Sequence, residues 1–260
     1  MSKWLEALVM TRPPKLLHVL LPGCEWTAAP TSASAPVIYL TFDDGPIPDE
    51  TPWVLEQLAL FNARATFFCV GDNVARYPEI ARAALIAGHR LGNHTQQHRS
   101  AWQITTKDYL SEVAACQKSL RAVPDGGSDA MLGIGYSVLG QSECQIPNAQ
   151  YPIPNTQRHP SAPSTFSSPK PLFRPPYGRL TRSLVRTLKA DYRVIMWSVL
   201  TRDYDPELAP EKCLRQTLAA VRPGDIVVFH DSRKASARLR YVLPRVLAHF
   251  AERGFRFETL

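Results

Sequence analysis

Cysteine is scarce in this chain and badly spaced for structural use. Cys24, Cys69, Cys116, Cys144 and Cys213 are odd in number, scattered, and include no C-x-x-C pair. That excludes a disulfide scaffold and a zinc ribbon, and reduced thiols are expected. Long apolar runs are lacking too, so no membrane-spanning helix is expected. Leu16 to Leu21 comes nearest, but it is short, broken by His18 and preceded by Pro13-Pro14. Leu21-Pro22-Gly23-Cys24 is a poor processing site, so no export signal is expected. The expected location is cytoplasmic, with the cell envelope as the alternative. No dense Lys/Arg run marks a nucleic-acid-binding arm, and the net charge of +7 reads as solvated surface. No repeat of fixed period is visible.

What is present suits an ordinary globular domain. The 260 residues are 45% hydrophobic and 20% charged, enough for one full core. Residues 1–36 read as a lead segment ending in a small, polar, Pro-bearing linker from Ala28 to Pro36. Residues 37–260 read as the catalytic domain. Within it, Pro124 to Pro169 loses all periodicity and reads as a flexible insertion.

The domain is organised around Val37 to Pro46, V-I-Y-L-T-F-D-D-G-P. Val37 to Phe42 has the character of a buried strand, and Asp43, Asp44, Gly45 and Pro46 end it. Further strands are expected at Ala65–Val70, His89–Gly92, Tyr192–Val199, Asp225–Phe229 and Phe255–Thr259, with order returning after the insertion at Leu172-Phe173. Helices are expected between them, the first capped by Thr51 ahead of Pro52. Buried strands alternating with helices imply a parallel sheet, open or closed into a barrel. Chemistry in such folds collects at the C-terminal ends of strands. Asp43-Asp44, Asn93-His94, Asp203 and His230-Asp231 all fall at or just past such ends.

Those residue types fit a hydrolytic metal centre. Adjacent carboxylates repel each other unless a cation lies beside them. His94 and His98, four residues apart, would share one face of a helical turn. With Asp44 they make a two-His, one-carboxylate set with an open position for water. Asp43 is then placed to act as base and His230 as acid, with Asp203 orienting His230. Arg174, in the stiff turn Phe173-Arg-Pro-Pro-Tyr-Gly178, could hold Asp43 ionised, and a backbone N–H of that turn could face an oxyanion. Read alone, Asp-Asp-Gly-Pro is also good turn chemistry, and an isolated H-x-x-x-H is commonly a surface pair. His18, His159 and His249 lie outside the clusters and are expected at the surface, and His89 is expected as a packed core histidine.

T-F-D-D-G-P, H-T-x-x-H, F-R-P-P-Y-G, the Trp197–Asp205 segment and V-V-F-H-D, taken in order, resemble the five motifs of the polysaccharide deacetylases (the NodB-homology, carbohydrate esterase family). The resemblance implies a distorted (β/α) barrel of about seven parallel strands. It implies removal of N-acetyl groups from amino sugars with a divalent metal, most often zinc, with cobalt or other divalent ions as alternatives. It assigns the metal to Asp44, His94 and His98, the base to Asp43 and the acid to His230. Arg174 positions Asp43, and the Tyr177 N–H helps to polarise the carbonyl. The implied partner is an N-acetylated glycan, a chitin oligomer or peptidoglycan, and no nucleic acid. One departure stands out: Leu200 replaces the first Asp of the family's fourth motif, leaving Asp203 to partner His230. Related readings are a metal amidohydrolase acting on a small C–N substrate or formylated sugar lipid, and a non-catalytic glycan-binding homologue.

Overall fold

The computed structural model describes residues 10–28, 35–124 and 170–260. The expected flexible insertion therefore lies, except for Pro124, outside the described residues, as do Cys144 and His159. Among the described residues nine strands form the sheet: β1 (Cys24–Glu25), β2 (Val37–Asp43), β3 (Ala65–Cys69), β4 (Arg90–Asn93), β5 (Leu172–Phe173), β6 (Arg193–Ile195), β7 (Val199–Leu200), β8 (Ile226–His230) and β9 (Arg256–Phe257). Eight run in the order β1-β6-β5-β4-β3-β2-β8-β7, and β9 pairs with β2. Every one of these strand pairings is parallel. This is the distorted (β/α) barrel expected, with nine strands in place of about seven. Beyond the strands expected from the sequence, β1, β5 and the split of one expected strand are the additions.

That split explains the curl of the sheet. Tyr192 to Val199 was expected as one strand. Instead β6 pairs with β5 and β1 at one end of the sheet, while β7 pairs with β8 at the other. Met196 to Ser198 crosses the gap, Met196 N–H donating to Glu25 O (2.7 Å) and Ser198 N–H to Ile226 O (3.1 Å). The two ends of the sheet are thus joined by chain and not by a ladder.

Strand β2 is buried along its whole length, because both faces are covered. Ile38, Leu40 and Phe42 point to a core shared with α2 (Glu50–Leu60) and α8 (Ser236–Ala251). Val37 and Tyr39 point to a second core, with Phe68, Phe173, Ile195 and Trp197. Period-two alternation therefore puts Thr41 and Asp43 on the second side, inside the curl. The remaining helices are α1 (Leu16–Leu20), α3 (Gly71–Arg76), α4 (Pro78–Ile86), α5 (Thr106–Arg121), α6 (Arg182–Asp191) and α7 (Pro210–Ala220). Pro78 opens α4 as its first helical residue.

The lead segment does not stand apart. Leu17, Leu21 and Trp26 are buried in the second core, and β1 extends the sheet. Arg12 pairs with Asp225, whose other carboxylate oxygen accepts from Ser198 Oγ (2.7 Å). No helix among the described residues is long and apolar enough to cross a membrane.

Candidate metal centre and acid–base site

Asp43 is the last residue of β2 and sits in register with His230, the last of β8. The strand alternation that turns Asp43 inward turns Thr41 inward too. The Arg174 guanidinium, fully buried, donates from Nη1 to both Thr41 Oγ1 (2.7 Å) and Asp43 Oδ1 (2.7 Å), and from Nη2 to Met196 O (2.9 Å). The Phe68 ring lies against it at 4.1 Å. A buried cation in such a place must be paired, and here it is paired with the carboxylate at the cavity.

Asp44 follows in the left-handed region (φ 85°), its carbonyl accepting from Asn73 Nδ2 (2.8 Å). The turn is held from behind by buried Asp231. Asp231 accepts from Gly45 N–H (3.1 Å) and from the Thr51 hydroxyl (2.5 Å), and Thr51 Oγ1 accepts from Ile47 N–H (2.9 Å). Thr51 lies inside α2 and braces the turn, in place of the capping role expected of it. Burial pushes the Asp231 carboxyl up to about 8.

His94 and His98 do meet, but not on a helix. They lie in the loop after β4, where Thr95 (φ 66°) and His98 (φ 56°) take left-handed conformations. Asn93 shapes the turn, accepting from Thr95 N–H (3.0 Å) and donating to Val113 O of α5 (2.8 Å). The start of α3 clamps the loop, Gly71 N–H donating to Thr95 O (3.0 Å) and Asp72 N–H to Gln96 O (2.9 Å). The imidazole centroids end 5.0 Å apart.

The ligand atoms of Asp44, His94 and His98 lie within 4.8 Å of one another. His98 Nε2 is 3.1 Å and His94 Nε2 3.8 Å from Asp44 Oδ1. That buried oxygen has no aligned hydrogen-bond donor among the described residues, as expected of an atom kept for a cation. His94 Nδ1 lies 2.8 Å from Arg174 O. The carbonyl accepts the Nδ1 proton, which leaves Nε2 bare and turned toward the cluster. Burial pushes the His94 pKa down to about 4, and a neutral imidazole is the form that binds metal. For Asp44, burial works to raise the pKa. The His98, His230 and His94 imidazoles outweigh it and hold the group below the usual carboxylate range. Soft ligands are absent from the set, which suits a borderline divalent ion.

His230 faces these carboxylates across the cavity. Its Nδ1 lies 2.7 Å from Asp203 Oδ1, and its backbone N–H donates to Asp203 Oδ2 (2.8 Å). Asp203 is fully buried, and its own carbonyl accepts from Arg238 Nε (2.6 Å). Burial works to lower the His230 pKa, but Asp203 first, then Asp44 and Asp43, raise it to about 9. The ring is therefore an imidazolium at neutral pH, with Nδ1 engaged and Nε2 left for the cavity.

All eight expected residues lie in or behind one opening. Asp43, Asp44, His94, His98, Tyr177 and His230 line a cavity of about 490 Å³, with Arg174 and Asp203 buried behind Asp43 and His230. Tyr177, at φ 60°, is exposed, and its ring meets that of His98 edge-on. Leu200 lines the cavity as an apolar wall where an acid was expected from the motif. Asp231 and Thr41 carry structural roles that the motifs alone did not assign. For Thr41 the signal was there, two residues before Asp43 on the same strand face. His18 is half-buried and stacked on Trp26, and not at the surface as expected.

A parallel, helix-covered barrel with a two-His, one-Asp cluster at its C-terminal rim, flanked by a buried Arg–Asp pair and an Asp–His pair, has the arrangement of a metal-assisted hydrolase. Comparisons with known proteins agree. The family model for polysaccharide deacetylase matches residues 31–132. The chain is 32% identical to a chitooligosaccharide deacetylase of Bradyrhizobium, over 86% of this chain and 88% of that protein. It is 29% identical to a chitooligosaccharide deacetylase of Azorhizobium caulinodans, over 86% and 92% respectively. In fold it is similar to the peptidoglycan deacetylase PdaC of Bacillus subtilis, with a TM-score of 0.64 over 88% of this chain and 90% of that one, at 22% identity. The chain belongs to the polysaccharide deacetylase family.

Proposed function

We propose that the protein removes the N-acetyl group from N-acetylglucosamine units of an oligo- or polysaccharide, releasing acetate and a free amine. Asp44, His94 and His98 would hold a divalent ion, and we assign it as zinc. Bound there, such an ion supplies a Lewis acid and lowers the pKa of water toward about 7. Asp43, paired with and aimed by Arg174, takes a proton from the attacking water. The water oxygen bonds to the acetamide carbon, and the backbone N–H of Tyr177 donates to the oxyanion that develops. His230, charged and oriented by Asp203, gives its Nε2 proton to the departing nitrogen as the C–N bond breaks. Base and acid thus face partners of opposite charge, a guanidinium behind Asp43 and a carboxylate behind His230.

The observation that carries this reading is the convergence of the Asp43–Arg174 pair, the three-ligand cluster and the His230–Asp203 pair on one cavity. Relatives named for chitooligosaccharide and peptidoglycan deacetylation support the substrate class. The test is acetate release from chitin oligomers and peptidoglycan fragments by zinc-loaded protein, with and without chelator. Asp43→Asn should lower turnover by at least about a hundredfold while one zinc per chain is retained. Undiminished acetate release from that variant would reject the assignment.

A further inference from the structure

Two cavities meet at the site. The first cavity carries Arg179 and Lys234 at its rim, and a second of about 440 Å³ shares Asp44, His98 and Ser232 with it. The second is lined in addition by Arg76, Tyr77 and Arg233. None of these four cations has a carboxylate partner among the described residues. The acids that line the two cavities, Asp43 and Asp44, face Arg174 and the histidine cluster. Arg179 lies over two exposed rings, Trp102 (46% exposed, 5.3 Å) and Tyr177 (54% exposed, 5.2 Å). Lys234 lies over Tyr204 at 5.5 Å. Each of these two cations is thus set beside an aromatic surface on which a sugar ring can stack.

Resting on the deacetylase reading, we propose that these joined cavities select glycans bearing carboxylates on the sugars that flank the reacting unit, with Arg179 and Lys234 in one cavity and Arg76 and Arg233 in the other. Cations divided between two joined cavities match charges repeated from sugar to sugar, whereas one phosphate would call for donors gathered at a single point. Arg offers a carboxylate a planar two-pronged fit, and the focused positive field raises the local concentration of an anionic chain.

The test is equilibrium binding by the zinc-loaded full chain, measured separately from turnover. The ligands are a neutral N-acetylglucosamine tetramer, a tetramer alternating it with N-acetylmuramic acid, and one alternating it with glucuronic acid. The carboxylated ligands should bind about tenfold more tightly at low salt, and the advantage should shrink toward one above about 0.5 M salt. Tighter binding of only one of them identifies the source of the carboxylate. Replacing Arg179 and Lys234 together by Gln, or Arg76 and Arg233 together by Gln, should each reduce the ratio of charged to neutral affinity. Equal affinity for neutral and carboxylated ligands, or a ratio unmoved by both double variants, would overturn the proposal. Acetate release reports on the catalytic reading alone: a protein that binds carboxylated ligands selectively but releases no acetate upholds this inference and removes the other.

Discussion

Arg174 sits where the residue-level argument is sharpest. Its guanidinium satisfies Asp43, Thr41 and the Met196 carbonyl, and its own carbonyl fixes His94. Arg174→Ala leaves a buried carboxylate alone, and urea unfolding should show a loss of about 3–5 kcal/mol. The second test is pH. His230 has its pKa raised from 6.5 to about 9, so the acid is lost, and activity falls, as pH climbs toward that value. Asp203→Asn should bring the alkaline limb of kcat down toward about 6.5. In metal-free protein the same shift is a stability term: present in full below 6.5, lost as pH rises through about 9. Asp231 acts in the same direction, its term full below 3.8 and lost by about 8. His89 and His94 act oppositely. Burial lowers each to about 4, so their terms are full above 6.5 and vanish as pH falls through about 4. Unfolding free energy measured in chelator should therefore decline on both sides of a neutral-to-mildly-acidic optimum.

At the scale of elements, what the sequence made legible depended on period. Strands β2 and β3 and helix α5 lie where apolar runs and helical spacing put them, because burial on both faces or along one stripe writes itself into the residues. The two histidines were legible as partners but not as loop residues. Left-handed φ at Thr95 leaves no mark in residue type, since a β-branched residue seldom adopts it. Strand β1 was missed because two residues, Cys24 and Glu25, are too few to show alternation. The break after Ile195 was hidden within a continuous apolar run. The integration of the lead segment has a direct check. Trp26, 4% exposed, packs in the inner core, and Trp26→Ala should cost about 3 kcal/mol in a urea melt. A free-standing leader would give no change. Gly92 offers another check. A Cβ there would stand 2.6 Å from the Phe68 ring, which lies under the Arg174 guanidinium. Gly92→Ala should therefore lower kcat through Asp43 while the content of bound divalent metal holds.

On the scale of the whole molecule, the site has no territory of its own. One residue, Arg174, touches through its guanidinium side chains of the central strand and the backbone where the sheet's two ends are bridged, and through its backbone carbonyl the histidine loop. The longest of these contacts, Arg174 to Thr41, spans 133 positions of the chain. Warming cannot then fray the catalytic groups while the barrel persists. Inactivation and the collapse of tertiary circular dichroism should follow a single curve, and a folded but idle form should never accumulate.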